Sequence, residues 1–206
     1  MCKCFAILLG LMISAPAWCQ DIVAVLERSQ SVRLAAMSTV PGEDPRAAVV
    51  RASFNQLADR FGSHNEMEVR VITGPVVAEC LLGHTIVANE SLAEMPEAVR
   101  LFLLAHEIGH VVLGHWKQFE QLYMKHIPGE VEQQHTDAIA GALGREASQL
   151  SHMQELDADA FAMQTMRTLG YEFEDVVGAF TAFGMQMDTA THPGTRKRIA
   201  HLRAIQ

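Results

Sequence analysis

Residues 106–110 read His-Glu-Ile-Gly-His, and this pentapeptide constrains the fold more than any other stretch of the chain. On an α-helix, residues four apart lie about 40° apart in rotation and about 6 Å apart along the axis. His106 and His110 can therefore point their imidazoles at one metal ion. Glu107 is rotated about 100° from His106, which sets its carboxylate beside such an ion, able to take a proton from bound water. Two nitrogen ligands, an open coordination position and an adjacent base form the arrangement of a zinc hydrolase. The spacing thus predicts a helix here, and the preceding residues comply. Glu97 to Ala105 is a good helix-forming run with apolar side chains at 99, 102, 103 and 105. Pro96 suits the first helical position, and Ser91 followed by Glu94 fits the cap of a short preceding turn. A lone histidine on an apolar helix face is usually a satisfied core residue. Two at ligand spacing around a buried glutamate point elsewhere, because an uncompensated buried carboxylate is costly.

The N-terminal stretch is of another kind. Lys3 precedes an apolar run from Phe5 to Ile13, and Ala15-Pro-Ala17-Trp18-Cys19 supplies small residues for cleavage. Residues 1–19 are therefore expected to be a secretory signal peptide, and residues 20–206 a single domain with room for a real core. Spanning a bilayer takes about 20 apolar residues, and no later run of that length occurs. The mature chain is thus expected to be exported and soluble, with no transmembrane segment. Lipid anchoring at Cys19 is disfavoured, since Trp18 stands where a lipobox carries a small residue. Cleavage after Ala17 would leave Cys19 and Cys80 able to pair, whereas cleavage after Cys19 would leave Cys80 alone. With 24 acidic against 16 basic residues, the net charge of −8 argues against nucleic acid or anionic lipid as the main partner.

Helical spacing runs through residues 22–36 and 45–62, broken by Pro41-Gly42-Glu43-Asp44-Pro45 and stopped at Gly62. Residues 68–73 and 82–88 are short and rich in Val and Ile, so they read as strands, with turns at Gly74-Pro75 and Gly83. After the motif helix come a polar helix up to about Ser148 and a separate helix over 150–169 stopped by Gly170. Helices over 174–187 and 195–205 complete a mainly helical α+β chain.

A zinc site needs a third protein ligand. A His ligand six residues past His110, as in the metzincin pattern, would require Gly at 113 and His at 116, but Leu113 and Trp116 stand there. His115 is half a turn out of phase with His106 on a regular helix and reads as a structural or surface residue. Glu155 is the best candidate, with His152 and Glu146 as alternatives. Glu155 and Asp159 share a helix face, while Asp157 points elsewhere. Asp159 can accept the spare ring N–H of a ligating histidine, fixing its tautomer. Met163, Met166, Met185 and Met187 read more readily as core fillers than as an apolar substrate groove.

Three ordered motifs, His106-Glu-Ile-Gly-His110, Glu155-Leu-Asp-Ala-Asp159 and Thr191-His-Pro-Gly-Thr-Arg-Lys-Arg-Ile199, resemble the HtpX and BepA type of zinc metallopeptidase, gluzincins related to the CAAX prenyl endopeptidases. The resemblance covers about residues 70–203. It implies a zincin-like domain with a small edge sheet packed on the active-site helix, and one Zn²⁺ per chain held by His106, His110 and Glu155. Glu107 would be the general base. His192 would cover the site, either steadying the oxyanion or occupying the open metal position, with Arg198 anchoring its loop on a carboxylate. The segment from Gly83 to Leu92 resembles the edge strand before the zinc helix, so the strand at 84–88 would offer an unpaired edge to an extended polypeptide. The implied function is a periplasmic endopeptidase acting on unfolded or misassembled polypeptides, including envelope or outer-membrane proteins. The rival is a non-catalytic zinc-containing, chaperone-like binding domain, and a zinc hydrolase of non-peptide substrates also fits the ligands. The chain departs from the family in lacking transmembrane helices and the helical-repeat extension of some relatives, and in its longer, more polar 117–150 stretch.

Overall fold

The computed structural model of the protein describes residues 21–61, 67–182 and 184–205. The expected signal segment, with Cys19, and the helix stop at Gly62 lie outside these residues. Helix α1 (Ile22–Ala35) starts where the Asp21 carboxylate accepts the Ala24 N–H. Helix α2 (Pro45–Phe61) starts at the proline, with the Asp44 carboxylate accepting the N–H groups of Arg46 and Ala47.

Three strands follow: β1 (Glu68–Ile72), β2 (Ala78–Leu81) and β3 (Thr85–Asn89). They form one sheet in the order β1-β3-β2, with β1 parallel and β2 antiparallel to β3. This corrects the expected strand at 82–88. Leu82, Gly83 and His84 make the turn, β3 begins at Thr85, and every β3 residue is buried. β3 is the central strand, so the unpaired edge expected of 84–88 belongs instead to β2. The sequence Ala78-Glu-Cys-Leu81 lacks the β-branched pattern that marks a strand, and for that reason it passed unrecognised.

A 3₁₀ turn over Glu90–Glu94 leads into α3 (Glu97–Val112). The turn is capped by the Asn89 side chain, which accepts the Ser91 N–H, rather than by Ser91. Pro96 stands one position before the helix rather than in it. Helices α4 (His115–His126) and α5 (Gln133–Thr168) come next. α5 is one helix of 36 residues where two were expected, since no proline interrupts the chain between them. The helix expected over 174–187 reduces to two single turns, α6 (Phe173–Val176) and α7 (Gly178–Thr181), before an irregular segment and α8 (Thr195–Ala204). None of the described helices is long and apolar enough to cross a membrane.

α3 is the hub. It packs against α2, α4, α5, α6, α7 and the strands β2 and β3. Leu101, Leu104 and Ile108 are fully buried, and each such side chain contributes about 1.5–3 kcal/mol. Met163 and Met166 of α5 are buried in the same core, whereas Met185 and Met187, expected there too, lie exposed on the irregular segment before α8. Two glycines set the geometry around the motif. Gly114, at φ 66°, adopts the left-handed conformation that ends α3 and redirects the chain into α4. Gly109 lets α3 and α5 approach closely: a Cβ there would lie 3.0 Å from the Phe161 ring and 3.4 Å from the Ala158 backbone.

Gly109→Ala is therefore expected to push α5 outward. Denaturant unfolding should show a loss of about 1–3 kcal/mol, as for other overpacked cores. Zinc affinity should fall with it. Unchanged stability would mean that the helices have slack at their crossing.

Candidate metal centre and cleft

α3 presents His106, Glu107 and His110, and its close packing on α5 brings Glu155 to them. The Nε2 atoms of the two histidines lie 3.2 Å apart. Glu155 Oε2 is 3.5 Å from His106 Nε2, and Glu155 Oε1 is 3.4 Å from His110 Nε2. Tetrahedral zinc with bonds of about 2.1 Å requires ligand atoms about 3.4 Å apart, and each of these contacts lies near that spacing, with one carboxylate oxygen facing each histidine. His106, His110 and Glu155 are the one group among the described residues whose ligand atoms all fall within 4.8 Å of one another. Glu155 Oε2 is buried without a hydrogen-bond partner. Such an orphan is expensive unless a cation meets it, and this observation fits the group to a metal.

The remaining ring nitrogens are committed. His106 Nδ1 lies 3.0 Å from Asp159 Oδ1. Asp159 is fully buried and gripped by the Arg198 guanidinium, Nε to Oδ2 at 2.7 Å and Nη2 to Oδ1 at 2.6 Å. His110 Nδ1 lies 2.8 Å from the Nδ1 of His115. Burial, followed by the neighbouring His110 and His106, pushes His115 down to about 4, so it is neutral and can accept the His110 Nδ1–H. Both partnerships turn the Nε2 atoms of His106 and His110 toward Glu155.

The electrostatics also call for a cation. Burial opposes the charge on Glu155 and Asp159, yet both are held well below the usual carboxylate range. His106 and His110 do this for Glu155, and Arg198 and His106 do it for Asp159. Burial alone would lower His106, but Glu155 and Asp159 carry it up to about 10. Glu107, Glu155 and Asp159 thus gather around one permanent cation, Arg198.

The alternatives to Glu155 fall elsewhere. Glu146 pairs with Lys125 and His126 on the far side of the α4–α5 hairpin. His152 Nε2 bonds the Thr189 carbonyl and pins the loop before α8. Asp157 is exposed, as the helix phase predicts. His115 stays outside the ligand group as expected and is a structural residue, buried and bonded to His110. His192 sits outside the ligand group, more than half exposed, with Nε2 3.6 Å from Glu155 Oε1 and Nδ1 2.8 Å from the Thr191 hydroxyl. Arg198 does pair with a carboxylate, and its guanidinium also lies over the Phe180 ring.

Glu107 opens onto a cleft of about 540 Å³. One wall is β2, whose outer edge is unpaired among the described residues. Trp116, Phe119 and Tyr123 of α4 and residues of α1 form the others. Cys80 of β2 makes no disulfide among the described residues, and burial together with nearby Glu107 pushes its thiol well up.

Zinc titrations should rank substitutions by this geometry. Glu155→Ala should abolish most of the affinity, and Asp157→Ala should leave it nearly intact. Asp159→Ala and His115→Ala should each lower it by about 10–100-fold, as expected for groups that orient a ligand. Equal effects at 155 and 157 would contradict the assignment of the α5 face.

The chain matches the model of Peptidase family M48 over residues 44–206. A sequence search among curated proteins finds no match. Among solved structures, the crystal structure of Ste24p from S. mikatae superposes with a TM-score of 0.57 at 18% identity, covering 87% of this chain and 55% of that one. The chain therefore spans about half the length of that protein, and the likeness is one of fold. On the family match, which takes in every described element except α1, the chain belongs to peptidase family M48, a family of zinc metallopeptidases.

Proposed function

We propose that this chain is a zinc-dependent endopeptidase of the cell envelope that cleaves unfolded or misassembled polypeptides. One observation carries the reading: the ligand cluster, Glu107 and the open edge of β2 all face the same cleft. An extended polypeptide can add to that edge by main-chain hydrogen bonds, and this brings its carbonyls past Glu107.

His106 and His110, through Nε2, and Glu155, through its carboxylate, would hold the ion. Bound zinc supplies Lewis-acid polarisation of the carbonyl and acidifies water to near neutral pH. Glu107 accepts a proton on its carboxylate from the attacking water and delivers it to the leaving amine. The Thr191 hydroxyl lies 2.8 Å from His192 Nδ1, and with that hydroxyl as donor His192 would carry its proton on Nε2, ready to donate to the carbonyl oxygen as it gains charge. Arg198 acts through Asp159 to hold His106. The position of Glu107 beside the cluster disfavours the non-catalytic binding domain, since a purely structural site has no use for a carboxylate there.

Export rests on the signal character of residues 1–19. N-terminal sequencing of protein from the soluble envelope fraction should start near Trp18 or Gln20. Acylated Cys19 in mass spectrometry would instead place the chain on a membrane surface.

Glu107→Gln should keep about one zinc per chain and the native circular dichroism. It should lose casein cleavage by about 10²–10⁴-fold, because only the proton carrier is removed. Wild-type protein with full zinc and no proteolysis of any unfolded substrate would favour the binding-domain reading.

A further inference from the structure

α1 lies outside the residues matched by the family model, yet it borders the cleft directly through Leu26, Gln30 and Arg33. It is tied down at both ends by small apolar clusters separate from the main core. Ile22 packs with Ile127 and Leu143, and Leu34 with Ile72, Leu81 and Val87. The helix therefore runs as a strap from the α4–α5 hairpin to the outer face of the sheet.

The β2–β3 register shows what the strap does to the open edge. Glu79 pairs with Val87 and Leu81 with Thr85, and the Val77 carbonyl accepts the Asn89 N–H at 2.8 Å. Backbone groups alternate in an antiparallel ladder, so 77, 79 and 81 point at β3, while those of Ala78 and Cys80 and the Leu82 N–H point outward. Ala78 and Cys80 remain open to an incoming strand. The Leu82 N–H does not, because the Gln30 side-chain oxygen accepts it. Leu82 also turns the chain away there, at φ 55°. Arg33 closes the outer face beside it through Nη2, 2.6 Å from Glu79 Oε2, while Glu79 Oε1 is buried without a hydrogen-bond partner.

Side chains of an added strand alternate between faces. Residues opposite Ala78 and Cys80 would share their face of the sheet, the one toward α3. Residues opposite Glu79 and Leu81 would face α1. We propose that α1 is the register stop and outer specificity wall of the substrate groove. Gln30 ends strand pairing at Leu82, and the Arg33–Glu79 pair meets alternate residues of an extended chain segment. This rests on the peptidase reading and specifies how its substrate lies.

The test uses the zinc-loaded chain and a nested series of quenched-fluorescence peptides lengthened one residue at a time from either end. In wild type, KM should stop falling once the peptide reaches Leu82. In Gln30→Ala it should fall further, by about fivefold for the next pairing residue, with the change in KM rather than kcat. Arg33→Ala leaves Glu79 without its cation, so peptides with Lys at alternate positions should gain about two- to fivefold over their Ala counterparts. Zinc content and circular dichroism check that both surface variants fold. A length profile in Gln30→Ala identical to wild type overturns the register stop, and an unchanged Lys preference in Arg33→Ala overturns the wall. If wild type cleaves no peptide, the peptidase reading fails by itself. The same length profile is then read as binding, from Trp116 fluorescence on titration of the same peptides.

Discussion

A fully buried carboxylate, Asp159, is the constraint on which the rest of the centre hangs. In the interior an isolated charge of this kind would cost several kcal/mol or more, so it exists only because Arg198 grips it with two short bonds and His106 takes a third. That fork ties together α3, α5 and α8, and it fixes the ring of His106 with its other nitrogen toward Glu155. On the opposite side a neutral His115 does the same for His110. Both histidines are thus preorganised, and Glu155 meets them with an oxygen that makes no hydrogen bond and lies 3.7 Å from Arg198 Nη1.

The other half of the architecture supplies access. The sheet is so small that its single central strand is wholly covered, and one strand edge is left beside the catalytic helix. α4 turns off α3 at Gly114 and walls the cleft with aromatic side chains, while α1 crosses from the other side. The metal-holding elements α3 and α5 and the groove walls β2 and α1 are therefore distinct, with α4 serving both through His115 and its aromatic side chains. Such a division lets the groove vary in sequence without disturbing the ligands.

The parts of this arrangement that follow a helical period were legible in the sequence. His106 and His110, and Glu155 and Asp159, are each four apart, so the side chains had to share a face whatever the tertiary fold. The structure brings all four together. Features that depend on tertiary contact were not legible. β2 has no strand signature of its own and is a strand only because β3 pairs with it. Gly109 carries no contact signal in the motif's spacing, and its close approach to α5 is visible only once the two helices cross. His115 lies three residues past the end of α3 at Val112, so the phase of that helix does not govern where it points. Two helices were expected in α5 because its first half is polar, but a helix can project into solvent when nothing in the chain breaks it.

The Arg198–Asp159 fork also fixes an order of events. Its partners are 39 residues apart in the chain, and Arg198 lies 92 residues after His106. Synthesis delivers the motif helix and the ligand carboxylate well before the arginine that makes their burial tolerable. Until α8 docks, Asp159 has no counter-charge and the ring of His106 has no settled orientation. The centre is therefore assembled last, after nearly all of the matched domain has been made.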